Sequence, residues 1–169
     1  MLMHAPFGNS YRRFNMTGLA PRYVSWGEDN RTVMVRVAGN GASRRLELRV
    51  PGAGCNPYLA LAAAGIAGIV SKTPLGAPVS GDALASKSLD VVPLDLTEAV
   101  AAFERSDLAR EAFSEAVCEH VLGHARHELT RFRAEVTDRD LLRGFEGCRA
   151  ASDRTASGRT ARRILGTRA

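Results

Sequence analysis

The sequence predicts an α+β fold, with antiparallel β-hairpin structure first and a helical region after it. Three observations carry this. Residues 32–38 alternate Val33, Val35 and Val37 with Thr32, Met34 and Arg36. Residues 45–50 alternate Leu46, Leu48 and Val50 with Arg45, Glu47 and Arg49, and a period of two is that of a strand. Between them Gly39-Asn40-Gly41 supplies turn residues, so the two runs are expected to pair as a hairpin. From Asn56 onward the punctuation is that of helices.

Taken in order, residues 1–8 are an unpatterned lead-in and residues 15–21 have the Gly, Pro and polar composition of a mobile loop. Residues 23–27 are β-like. Asn56 before Pro57 is an N-cap followed by proline at the first helical position. The helix it starts, to about Lys72, is apolar all round and is expected to be buried. Residues 73–94 carry Pro74, Gly76, Pro78, Gly81 and Pro93 with little periodicity, which reads as a long loop. Asp95 with Glu98 forms a capping box for a helix through Phe103, and Ser106-Asp107 opens another. From Ser114 to about Val136, Cys118, Val121, Leu122, Ala125, Leu129, Phe132 and Val136 recur at helical spacing. A final short helix is expected over residues 138–145.

The charged face of the 45–50 strand holds the chemistry. Arg45, Glu47 and Arg49 project to one side, and Arg12, Arg13, Arg31 and Arg36 fall in the preceding forty residues. A ladder of surface ion pairs would read the same way in isolation. With this many guanidinium forks nearby, a second reading stands beside it. Arginine binds carboxylate and phosphate oxygens in bidentate fashion, and a glutamate among arginines is placed to hold a divalent cation shared with phosphates. On the long helix His120, His124 and His127 are spaced i, i+4, i+7. Two such histidines suit zinc, and a solvated polar stripe explains the same spacing.

The charge excess points to no partner for the body of the chain. Six of the 23 basic residues and one of the 18 acidic ones lie in residues 147–169, leaving 17 of each before that point. The sequence pI near 9.6 is therefore a property of the tail, and no nucleic-acid recognition motif accompanies it. Residues 147–169 are rich in Gly, Ser, Thr, Ala and Arg and are expected to be disordered. Cys55, Cys118 and Cys148 are widely spaced and odd in number, which fits reduced thiols in a cytoplasm. No secretory segment is visible, and the longest apolar run, residues 58–70, falls short of the roughly 20 residues a bilayer needs.

Four stretches then carry a resemblance: Asn9-Ser10-Tyr11-Arg12-Arg13-Phe14, Trp26-Gly27-Glu28-Asp29-Asn30-Arg31, Arg45-Leu46-Glu47-Leu48-Arg49-Val50-Pro51 and Asn56-Pro57-Tyr58-Leu59. In this order and spacing they resemble the C-terminal half of the glutamine synthetase catalytic domain. The resemblance implies that residues 1–146 are an incomplete catalytic domain of that kind, entered midway. It implies an ATP-dependent ligase that joins the γ-carboxylate of glutamate to ammonia or an organic amine through an acyl phosphate, with Mg2+ or Mn2+. By position, Arg31, Arg36 and Arg45 would bind ATP, with Arg31 also catalytic. Arg13 and Arg49 would bind glutamate, and Glu47 would be a metal ligand.

The same resemblance implies a cytoplasmic enzyme of nitrogen metabolism, homo-oligomeric when complete, with no membrane and no nucleic acid among its partners. Two positions depart from the family's pattern. Leu19 stands where members that use ammonia carry a glutamate, which favours the γ-glutamylamine-forming branch, and Gly52 stands where an aspartate is usual. The family's other metal ligands lie upstream of this point. The alternative reading is a non-catalytic remnant or assembly subunit.

Overall fold

Three short strands form a sheet that contains the expected antiparallel pair. β1 (Trp26–Glu28), β2 (Val35–Ala38) and β3 (Arg45–Leu48) lie in the order β1-β2-β3. The computed structural model describes residues 1–15, 20–71 and 74–145. The chain divides into two units, Met1–Phe132 and Arg133–Ala169, and the sheet belongs to the first.

β2 and β3 are antiparallel, with Arg36 opposite Glu47 and Ala38 opposite Arg45. The link between them is longer than a tight turn. It contains a 3-10 turn at Gly41–Ser43, where Ser43 Oγ donates to the Asn40 carbonyl at 2.8 Å. Gly39 takes φ +79°, and a Cβ there would sit 2.4 Å from the Ser43 carbonyl oxygen, so glycine is required.

β1 runs parallel to β2, with Trp26 opposite Val35 and Glu28 opposite Val37, a pairing direction that the sequence left open. Parallel neighbours ordinarily need a crossover of a dozen or more residues. Here the chain reverses at Asp29, which adopts φ +46° and whose N–H donates to the Val37 carbonyl at 2.8 Å. An aspartate tolerates that left-handed backbone better than most side chains.

Two burial expectations are corrected. Leu46 was assigned to the greasy face of β3, yet it is 73% exposed while Val50 is buried. α2 (Pro57–Val70) starts where expected, its first N–H groups capped by Asn56 Oδ1, which accepts from Tyr58 N at 2.9 Å. Its apolar surface is not buried as predicted: Ala60 is enclosed, but Tyr58 is 83% and Ile69 85% exposed. Periodicity shows that a surface is apolar; whether it is covered depends on what packs there, and the other described residues cover little of it.

The remaining elements follow their caps. α3 (Leu96–Glu104) has Asp95 Oδ1 accepting from Glu98 N and Glu98 Oε2 accepting from Leu94 N, both at 2.8 Å. Ser106 Oγ caps α4 (Asp107–Ala112), accepting from Ala109 N. α5 (Glu115–Ala134) buries Cys118, Leu122 and Ala125, while Phe132 and Val136, predicted to share that face, are exposed. The core joins α5 to the N-terminal segment. Tyr11, just before α1 (Arg12–Asn15), and Phe14, within it, cluster with Val50, Leu96, Leu122 and Ala125.

Residues 74–94 form the expected loop, but it is tied down. It contains a 3-10 turn at Ala83–Ala85, and Val24 N and Val92 N make backbone hydrogen bonds to Asp90 O and Arg22 O across it. In the second unit residues 138–145 are helical as predicted, and Thr137 donates to Asp140 Oδ2 at its start. Leu19 and the 147–169 tail lie outside the described residues. Among the described residues no helix is long and apolar enough to cross a membrane.

Candidate functional site

The β2–β3 register brings four of the predicted residues together. Because Arg36 and Glu47 are directly opposed, Arg36 Nη1 donates to Glu47 Oε2 at 2.9 Å, and Arg45 Nη2 donates to Glu47 Oε1 at 2.7 Å. Arg36 Nη2 pairs with the Asp29 carboxylate. Both acids are held below the usual carboxylate range, Glu47 first by its hydrogen bond to Arg36 and Asp29 likewise. Arg36 is pushed up by the same two bonds, Asp29 first. Arg49 feels Arg36, Glu47 and Arg31 across this cluster, and burial is the largest influence lowering its pKa.

Arg31 and Arg36 face a cleft of about 800 Å3, whose lining also includes Glu28, Asp29 and the loop segment from Pro78 to Gly81. Such a cleft has the size of a small-molecule site; its two guanidinium groups share the lining with the carboxylates of Glu28 and Asp29, and Arg36 is already engaged by Asp29 and Glu47. Asp29 and Asn30 lie in one of the stretches that carry the resemblance but had no role assigned, and the 78–81 wall went unmarked in the sequence reading. Asn30 carried a local signal, since an Asn with Thr two residues on often forms an Asx turn, and Asn30 Oδ1 does accept from Thr32 N at 2.9 Å.

Arg13 lies apart from this cluster. Its guanidinium sits over the Phe14 ring, 4.5 Å from the centroid, and 3.9 Å from where a Cβ on Gly52 would be. Among the described residues no hydrogen-bond partner reaches its buried Nε and Nη2 atoms, and burial lowers its pKa. Two adjacent N–H groups on one edge of a guanidinium match the two oxygens of a carboxylate.

Glu47 does not by itself make a cation site. Both its oxygens are engaged by arginine, and among the described residues no group of three or more His, Cys, Asp or Glu gathers. The described residues therefore do not by themselves fit a divalent ion, and no chemical step is routed through one. The histidine stripe is also divided: His120 and His124 line a second, apolar cavity of about 250 Å3 with Phe7 and Leu59, and His124 meets the Phe7 ring edge-on.

The family described as "Glutamine synthetase, catalytic domain" matches residues 1–143. The chain belongs to the glutamine synthetase family. It is 46% identical over 148 residues to a gamma-glutamylethanolamide synthetase of Streptomyces coelicolor, covering 86% of this chain and 32% of that protein. It is 36% identical over 145 residues to a gamma-glutamylputrescine synthetase of Escherichia coli, covering 83% of this chain and 30% of that one. A solved structure of GmaS in complex with ADP aligns with TM-score 0.70 and 29% identity over 86% of this chain and 36% of its own. The chain thus spans about a third of the length of the curated relatives it matches.

Within this synthetase domain the Arg36 clamp has a pH signature. Glu47 and Asp29 have lowered folded-state pKa values, so the stability they contribute is fully present above the ordinary carboxylate pKa and is lost as pH falls through the lowered values. Thermal melts below about pH 4.3 should therefore show a flatter acid limb in the Asp29→Asn, Glu47→Gln double variant than in the wild type. Parallel limbs would mean that these pairs contribute nothing measurable.

Proposed function

We propose that this domain serves an ATP-dependent ligase joining the γ-carboxylate of glutamate to an organic amine. The observation that carries the reading is the pairing of a two-arginine cleft with a separate carboxylate-sized edge on Arg13, in a chain of this family. In the proposed reaction a γ-carboxylate oxygen attacks the γ-phosphorus of ATP. The bond to the bridging oxygen breaks, ADP leaves, and an acyl phosphate forms. The amine nitrogen then attacks the acyl carbon, phosphate departs with the C–O bonding pair, and the nitrogen gives up a proton.

Little covalent work falls to the protein in phosphoryl transfer, where positioning and charge stabilisation dominate. Arg31, on a loop and free to swing, would meet the charge developing on the transferring group, and Arg36 and Arg45 would steady the nucleotide phosphates. Arg13 and Arg49 would hold the carboxylates of glutamate. Glu47, a metal ligand by position, would need to exchange its arginine partners and gain further ligands before it could take that role. Residues 1–146 would act as the catalytic part and 147–169 as an appendage to it.

An amine is favoured over ammonia on two grounds. Ammonium needs a nearby carboxylate to stabilise its charge and take its proton, and Leu19 supplies none. The second ground is identity: the chain is 46% identical to the gamma-glutamylethanolamide synthetase and 36% identical to a glutamine synthetase of Halobacterium salinarum. The test is a chimera in which residues 1–143 replace the matching part of the Streptomyces coelicolor synthetase. Its kcat/KM for ethanolamine or putrescine should exceed that for ammonia. If ammonia is the better substrate, plain glutamine synthesis replaces this assignment.

A second reading, a non-catalytic assembly member of the family, draws on the exposed apolar face of α2 and on the occupied carboxylate of Glu47. A chimera that assembles but turns over no amine would favour it.

A further inference from the structure

We infer that Asn30 is a positioning residue for the nucleotide cleft, acting by clamping the 76–81 loop against β1; this rests on the ATP reading of that cleft. Asn30 lines the cleft between Asp29 and Arg31, and its side chain uses its full hydrogen-bonding capacity within the cleft wall. Nδ2 donates to the Val79 carbonyl at 3.1 Å and to the Gly81 carbonyl at 2.7 Å. Oδ1 accepts from Thr32 N at 2.9 Å and Thr32 Oγ1 at 2.7 Å. Thr32 Oγ1 in turn accepts from Ala83 N at 2.9 Å. One amide therefore joins the loop carrying Arg31 to a segment about fifty residues further along the chain.

The fit between the two segments is close. Val79 N donates to the Trp26 carbonyl at 2.8 Å, the Trp26 indole N–H donates to the Gly76 carbonyl at 2.7 Å, and a Cβ on Gly27 would come within 2.8 Å of the Val79 oxygen. Pro78 to Gly81 form the wall that faces Arg31 and Arg36. Releasing that wall widens the cleft without touching either arginine, so the expected loss is in nucleotide affinity rather than in the anion-binding groups themselves.

Asn30→Asp separates this role from general support of the fold. It is isosteric and keeps the acceptor facing Thr32, but it loses both donors and sets a carboxylate against two carbonyl oxygens. Trp26 is the single tryptophan and reports on the loop directly. In the 169-residue chain, titration of the wild type with ATP should change Trp26 emission. Asn30→Asp should red-shift that emission before any ATP is added and raise the Kd for ATP about tenfold, as expected for two lost hydrogen bonds. Its melting midpoint should stay within a few degrees of wild type, where a purely structural role would lower the midpoint and leave the affinity of the folded fraction unchanged.

Thr32→Val, which cuts the tie to Ala83, should act in the same direction and serves if Asn30→Asp does not fold. Wild-type affinity for ATP in either folded variant would overturn the inference. Absence of ATP binding by the wild type would instead overturn the nucleotide reading, while the emission of Asn30→Asp would still report whether the clamp exists.

Discussion

Incubated with ATP, glutamate and an amine, the 169-residue chain alone should release phosphate far below an ordinary enzyme's rate of about 1 to 10³ per second. Charge neutralisation is the main task in phosphoryl transfer, and this chain supplies guanidinium groups for it in quantity. It does not supply a cluster of acids: Glu47 is held by Arg36 and Arg45, and among the described residues no three His, Cys, Asp or Glu side chains converge. The chain also matches only about a third of the length of its relatives. A coupled phosphate-release assay would check this directly. Turnover within the ordinary range would show that the arginine cleft suffices, and the account of Glu47 would then be wrong.

Leu122→Ala should cost about 2–5 kcal/mol, the usual range for emptying a buried leucine site. For a chain of this size that corresponds to a fall in Tm of roughly 5–20 °C. Leu122 is 3% exposed at the centre of α5 and shares its cluster with Tyr11 and Phe14. Those two residues flank Arg13, so the same cavity loosens the seat of its guanidinium. Phe132→Ala is the control: its ring is 42% exposed and lies under the Arg12 guanidinium at 5.8 Å, so a smaller shift is expected. Equal shifts in thermal unfolding would show that the core does not centre on Leu122.

What could be read in advance was governed by distance along the chain. The caps at Asn56, Asp95 and Ser106 involve partners two to three residues away, and each begins a helix as predicted. The Arg36–Glu47 pair was legible because hairpin register follows from the alternation of two adjacent strands. The direction of β1 was not, since the left-handed backbone at Asp29 that follows it has no counterpart in the alternation pattern. Burial was the least legible. Leu46 and α2 have apolar patterns, but pattern carries no information about what is stacked on them. Half of the Asn30 clamp was visible as a local turn with Thr32, and the other half reaches Val79 and Gly81, about fifty residues on.

The order β1-β2-β3 leaves β3 on the outside of the sheet. An outer strand offers a row of backbone N–H and C=O groups to any passing chain, and proteins discourage such pairing by setting charges along it. β3 alternates Arg45 and Glu47 with its leucines, and its exposed Leu46 is the kind of side chain that would otherwise invite self-association. The charged side chains proposed for phosphate chemistry would thus have a second effect, as a barrier to fibre growth. Replacing them to probe catalysis would also remove that protection, so solubility is expected to fall along with activity.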